Sequence, residues 1–260
     1  MRLQGLVAAL GQNGADLAER MKLCSDAIII NQCDQNSYLE YEHHHFKIKC
    51  YNFAECGVGL SRNNALLRAG GDISLFADDD IIYNDNYANE VLQEFGQHPD
   101  ADVLLFNMDV NAERATYHTD VFHRVRLYNC GRYPAYSMAV RTRKLHHENI
   151  TFSLLFGGGA KYSCGEDSLF IKDCINKGLH VYASPIAIGR EVARPSTWFN
   201  GYTEKFFFDR GVLFYFLYKR MAQLMTALFL LKHGTAMCQN INIQQAYRLM
   251  IKGIREARGK

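Results

Sequence analysis

A chain of 260 residues with 48% hydrophobic and 22% charged residues can build one large folded domain with an extension, and this composition excludes a disordered or fibrous protein. The formal charge of +2 hides an asymmetry: from Arg210 onward there are nine Lys/Arg against one Asp/Glu, so the chain before it is net acidic. An acidic body with a basic tail excludes nucleic acid as the partner, because a nucleic-acid binder carries its basic patch on the folded core; it suits a body that binds metal and a tail that faces anionic groups.

Leu3–Leu10 reads as a buried strand, Gly11 and Gly14 as a loop, and Ala15–Leu23 as a helix. Ala27–Asn31, with three consecutive isoleucines, reads as a strand covered on both faces. Phe46–Tyr51 is a third strand, and Leu60–Ala69 a helix closed by Gly70 and Gly71. Ile73–Ala77 is a fourth strand, Asn86–Phe95 a helix that stops ahead of Pro99, and Val103–Phe106 a further buried strand. This alternation predicts an α/β fold, a mostly parallel Rossmann-like sheet flanked by helices. Later, Val121–Leu127 and Tyr136–Val140 read as strands, Phe156–Gly159 as a flexible loop, Glu166–Asn176 as a helix and Val181–Ala187 as a strand. From Tyr202 the chain turns aromatic and helical to about Leu231, and a basic helix, Gln244–Arg258, follows a polar break at His233–Asn242. The division expected is a catalytic domain over 1–200 and a helical extension over 201–260.

Eight cysteines without a Cys-x-x-Cys pair read as reduced thiols in a cytoplasmic protein. The apolar run at Leu6–Leu10 is too short for a signal peptide, and no stretch approaches the roughly 18–20 residues of a membrane span. His43–His44–His45 lacks the i, i+4 spacing of a helical metal pair and reads as a solvated loop.

The chemistry concentrates in three separated pieces. Ile73–Ala77 ends abruptly in Asp78–Asp79–Asp80. Three adjacent carboxylates need a counter-charge, and Mg²⁺ or Mn²⁺ held by one or two of them keeps sites for phosphate oxygens. Gly57–Val58–Gly59–Leu60–Ser61–Arg62–Asn63 opens the preceding helix, and Gly157–Gly158–Gly159 precedes Gly165–Glu166–Asp167 at the head of another. Taken singly, each has a plain structural alternative: acidic residues in a solvated turn, an arginine ion pair, an acidic pair that favours a helix dipole.

In this order on alternating strands and helices, the three pieces resemble the family 2 glycosyltransferases of the GT-A (nucleotide-diphospho-sugar transferase) fold, over about residues 3–190. The resemblance implies transfer of a sugar from a nucleotide-diphosphate donor, UDP-linked, by an inverting displacement. It places Asp78 near the ribose or donor sugar and the Mn²⁺ or Mg²⁺ on Asp80, with Asp79 able to share either role. Arg62 and Asn63 match the Arg-Asn pair beside the nucleotide. Asp167 matches the base and Glu166 an acceptor-orienting neighbour, and Gly158 and Gly159 let backbone approach the acceptor. Ala8 flanks the nucleobase pocket, and either Asn31 or Asp34 faces the base. Trp198, within Arg194–Phe199, stacks on a sugar or anchors a core. The acceptor implied is a saccharide or lipid-linked saccharide in capsular or cell-surface polysaccharide synthesis at the inner membrane face. The aromatic run Phe206–Tyr218 then lies against that membrane, packs on the catalytic domain, or forms a homodimer contact. Two other classes share some of these features. A sugar-phosphate nucleotidyltransferase would need a basic first loop that Gly11–Gly14 lacks, and a non-catalytic saccharide-binding module would bind sugar without metal.

Overall fold

The computed structural model describes residues 1–110, 117–192 and 201–259. In chain order the elements are β1 (Leu3–Leu10), α1 (Leu17–Arg20), β2 (Asp26–Gln32), β3 (Ser37–His43), β4 (Phe46–Phe53), α2 (Val58–Arg68), β5 (Ile73–Asp78), β6 (Ile81–Tyr83), α3 (Tyr87–Gln97), β7 (Val103–Asp109), β8 (His123–Arg124), β9 (Met138–Arg141), α4 (Thr142–Glu148), α5 (Glu166–Asn176), β10 (Val181–Glu191), α6 (Glu204–Tyr218), α7 (Ala222–Met237) and α8 (Ile243–Ala257). Nine strands run in the order β3-β4-β2-β1-β5-β9-β7-β10-β6, and β8 pairs with β10. β4, β2, β1 and β5 are mutually parallel, as are β7 and β10. β3, β6, β8 and β9 pair antiparallel with their neighbours, so the sheet is mixed but mostly parallel.

The period-2 alternation of β5 sorts its side chains between two cores. Ile73, Leu75 and Ala77 enter the core that α1 and α3 cover with Leu17, Tyr87, Val91 and Phe95. Phe76 enters the opposite core, covered by Ala65 and Leu66 of α2 and by Phe170, Ile171 and Cys174 of α5. Asp78, two residues beyond Phe76, therefore leaves the sheet on the α2/α5 side.

The C-terminal helices settle the place of the aromatic run. Phe206, Phe207, Val212, Leu213 and Phe214 of α6 are buried. One side of α6 joins Phe156, Tyr162 and Leu169 of the catalytic body, and the other joins α7 and α8. α6 is thus an internal helix between body and tail, and it is not available as a membrane-facing segment. Among the described residues no helix is long and apolar enough to cross a membrane.

Several boundaries differ from the sequence expectation. The helix expected over Ala15–Leu23 shrinks to α1, because Lys22 takes a left-handed φ of 55° that ends it. β3, β6 and α4 were not expected, and the strand expected at Val121–Leu127 is only β8. α7 runs on through His233 to Met237. The histidine tract is no open loop. His43 ends β3, while His44 and His45, with φ of 47° and 72°, form the tight turn into β4.

Candidate active site

A trio of aromatic rings sets a trio of charges. Phe76 on β5 meets Phe152 and Phe170 edge to face, with centroids 5.1 and 5.8 Å away. One step beyond two of these rings lies a carboxylate: Asp78 two residues past Phe76 along the strand, and Glu166 one turn back from Phe170 along α5. Arg62 of α2, its guanidinium 5.4 Å from the Phe152 ring centre, sits between them. Its Nη2 donates to Asp78 Oδ1 at 2.8 Å, and its Nη1 donates to Glu166 Oε1 at 2.8 Å. Arg62 is only 4% exposed. Burial alone would lower its pKa, but the two carboxylates overrule that and raise it, so the cation is permanent.

Glu166 is held twice more. Its Oε2 accepts from the Gly165 backbone N–H at 3.1 Å, and the loop packs on it at Gly157. Gly157 has a φ of +106°, and a Cβ there would lie 2.8 Å from Val58 and 2.9 Å from the Glu166 carboxyl carbon, so both conformation and space demand glycine. The Gly158 carbonyl accepts from the Val58 N–H at 2.9 Å, tying the loop to the head of α2, and Gly159 lies exposed beside Gly57.

Asp167 is half-buried next to this cluster, and its Oδ1 accepts from the Ser168 N–H at 2.6 Å and hydroxyl at 3.2 Å. Burial, then repulsion from Glu166, pushes its pKa up to about 7; the Ser168 N–H and Arg62 pull the other way. A carboxyl that titrates near neutrality can take up a proton at working pH.

On the other side of β5, Asp79 is buried and accepts from the Leu10 N–H at 3.0 Å, joining the acidic turn to the end of β1. Ala8 is buried in register with Asp78. Asp78, Asp79 and Asp80 present only oxygen at a strand's carboxyl end, a donor set that fits a hard cation such as Mg²⁺ or Mn²⁺.

Two expected nucleotide contacts have structural work. Asn31 is 2% exposed. Its amide donates to the Gln12 carbonyl and to Asn52 Oδ1 and accepts from the Gln12 N–H, so it shapes the loop after β1. Asn63 accepts from the Phe152 N–H at 2.7 Å and donates to its carbonyl at 2.9 Å, locking the Phe152 segment to α2. Trp198 lies outside the described residues. The sequence reading missed Gln32, whose Oε1 accepts from the Gly57 N–H at 2.6 Å, and Phe152; neither carries a local signal.

α6 reaches this site from behind. Asp209, 2% exposed, accepts from the Ser163 N–H at 2.9 Å and from Lys205 at 2.6 Å. Leu213 packs against Gly165 so closely that a Cβ at Gly165 would lie 2.5 Å from its methyl groups. The turn that begins α5 is therefore positioned by the C-terminal extension.

Among the described residues, one set of His, Cys, Asp or Glu side chains has ligand atoms within mutual metal range: Glu19, His43 and His44. It lies between α1 and the β3–β4 turn, away from Asp78 at the end of β5.

The model of glycosyl transferase family 2 matches residues 26–160, just over half of the chain. No curated protein sequence matches. Among solved structures, S. aureus TarS in complex with UDP-GlcNAc superposes with a TM-score of 0.67 at 16% identity, over 98% of this chain and 82% of that one. TarS in complex with UDP gives 0.62 at 17% identity, over 98% and 82%. The mannosyltransferase PcManGT from Pyrobaculum calidifontis, in complex with GDP-Man and Mn²⁺, gives 0.56 at 11% identity, over 98% and 86%. At these identities the likeness shows a shared fold, and the GT-A architecture agrees with the parallel sheet and the acidic turn at its carboxyl edge. With the family match over residues 26–160, the chain belongs to glycosyl transferase family 2.

Proposed function

We propose that this enzyme moves a sugar from a UDP-linked donor to a hydroxyl of a saccharide or lipid-linked saccharide, with inversion, in cell-surface or capsular polysaccharide assembly at the inner face of the membrane. The observation that carries this reading is the Asp78–Arg62–Glu166 bridge, which gathers the acidic end of β5 and the head of α5 around one guanidinium. Solved complexes of TarS with UDP-GlcNAc and of PcManGT with GDP-Man support the donor class.

On the acceptor side Asp167 takes the hydroxyl proton as the acceptor oxygen bonds to the anomeric carbon, and the bond from that carbon to the diphosphate oxygen breaks. A carboxyl pushed up to about 7 matches this task, since a base works best with a pKa near the operating pH. Glu166 and Arg62 orient this end of α5. On the donor side Asp78 and Asp79 face the nucleotide sugar, with Ala8 leaving room beside it. A divalent cation held by Asp80 would supply charge stabilisation for the departing diphosphate.

The test is a screen of UDP- and GDP-sugars with Mn²⁺, with and without chelator, reading both transfer and protection against heating. Donor-dependent stabilisation that needs the cation is expected, as is loss of transfer in Asp80→Asn with the fold retained. Full turnover by Asp80→Asn or Asp167→Asn would overturn the assignment of these residues.

A further inference from the structure

α7 is apolar on two sides. Ala222, Thr226, Leu230 and Gly234, spaced by four, form its buried stripe, in the bundle shared with α6 and α8. Met221 just before the helix, with Leu224, Leu228 and Leu231, forms a second stripe that is 56%, 54%, 49% and 81% exposed. A helix apolar all round belongs in an interior or against a partner. The charges bordering this stripe are all of one sign: Lys219 and Arg220 at one end, Lys232 at the other, each exposed, and no Asp or Glu anywhere in α7.

We propose that this outer face of α7 docks on an anionic lipid surface. The helix would lie in the surface plane, with the three leucines and Met221 at the acyl boundary and Lys219, Arg220 and Lys232 on lipid phosphates. The same charges disfavour a second copy of the chain. An antiparallel two-fold pair of stripes sets Lys219 and Arg220 against Lys232, a parallel pair sets each cation on its twin, and α7 supplies no carboxylate to relieve either. Leu228 and Lys232 also wall a cavity of about 270 Å³ that includes Ser168, whose hydroxyl holds Asp167. If the acceptor is lipid-linked, as the functional reading has it, this orientation puts the base side of the site next to the surface carrying it.

Flotation of the full chain with phosphatidylcholine vesicles, with and without phosphatidylglycerol, tests the docking independently of turnover. Binding to the anionic vesicles alone is expected, weakened by high salt. Leu224→Glu combined with Leu231→Glu should abolish it. Lys219→Gln, Arg220→Gln and Lys232→Gln together should weaken it at least about tenfold. Both variants change exposed side chains, and unchanged thermal unfolding verifies their fold. Equal retention on neutral vesicles, or no retention on either, overturns the proposal. So does a wild-type dimer in sedimentation analysis that Leu224→Glu/Leu231→Glu dissociates without any vesicle binding by the wild type.

Discussion

Arg62→Met is the most informative single change to the site. The methionine keeps much of the side-chain length but leaves Asp78 and Glu166, each 2.8 Å from a guanidinium nitrogen in the wild type, as uncompensated carboxylates. Removing one partner from a buried ionic network costs about 3–5 kcal/mol. Losing the cation over the Phe152 ring adds about 0.5–1 kcal/mol. For a chain of this size such a loss lowers Tm by about 10 °C. Adding Asp78→Asn and Glu166→Gln to Arg62→Met removes the orphaned charges and should restore most of the Tm, while transfer stays lost. Arg62 also lowers the pKa of Asp167, so in Arg62→Met the acid limb of the pH–rate profile should move upward from about 7. Scanning calorimetry of the wild type, the single and the triple variant, with a pH–rate profile of any residual activity, checks all of this. A single variant that unfolds with the wild type, or a triple variant no more stable than the single, would refute the bridge as the organiser of the site.

Asp167→Asn should reduce kcat about 10²–10⁴-fold with donor affinity unchanged, measured by turnover and by calorimetric titration with UDP. Its stability carries a sign as well. The folded pKa of about 7 exceeds the ordinary carboxyl value, so Asp167 costs stability progressively as pH rises from about 4 to about 7. The Asn variant should therefore gain on the wild type across that window, by about 2 kcal/mol after allowing for partial exposure to solvent, read from urea unfolding at several pH values. Gly157→Ala forces a left-handed φ of +106° on alanine and crowds Val58 and Glu166; a loss of about 1–3 kcal/mol is expected, with reduced kcat, and wild-type behaviour in both would count against the packed loop. Asp209→Ala leaves the Ser163 N–H without its acceptor inside the α6 contact, so a drop of about 1–3 kcal/mol and slower transfer should appear together in calorimetry and turnover assays.

Much of the sheet could be read from the chain because burial writes itself into composition. β1 is bounded to the residue, the three isoleucines of β2 mark a strand covered on both faces, and the apolar run of β5 marks a strand. β3 carried no such mark. Ser37–His43 is a mostly exposed edge strand with Glu40 and Glu42 in it, and its turn uses two histidines where asparagine and glycine would have signalled a hairpin. The acidic turn and the Glu166–Asp167 pair were visible as motifs. The Arg62 bridge was not, since it joins positions separated by 104 and 16 residues, and only folding shows which carboxylates share one guanidinium. For Asn31 and Asn63 the chain alone does not say which backbone or side-chain groups their amides bind, because an amide suits a base as well as a backbone; within the protein they bind Gln12, Asn52 and Phe152. Aromatic richness in α6 was a true sign of burial, but composition does not say whether protein or lipid does the burying.

The seat of Leu213 against Gly165 decides where this chain can tolerate change in length. One residue inserted within α6 before Leu213 rotates the following positions by about 100° about the helix axis, swinging that leucine off the start of α5. The short turn at Lys219–Met221 lies just past the last α6 side chain that touches the catalytic body, Tyr218. Additions there leave the register of α6 on the body unchanged, and α8 keeps its own seat through Gly253 on Phe208 and Glu256 on Lys161 and Tyr162. Length is therefore constrained most tightly between Glu204 and Tyr218, and the α6–α7 turn is where an extra residue disturbs the site least.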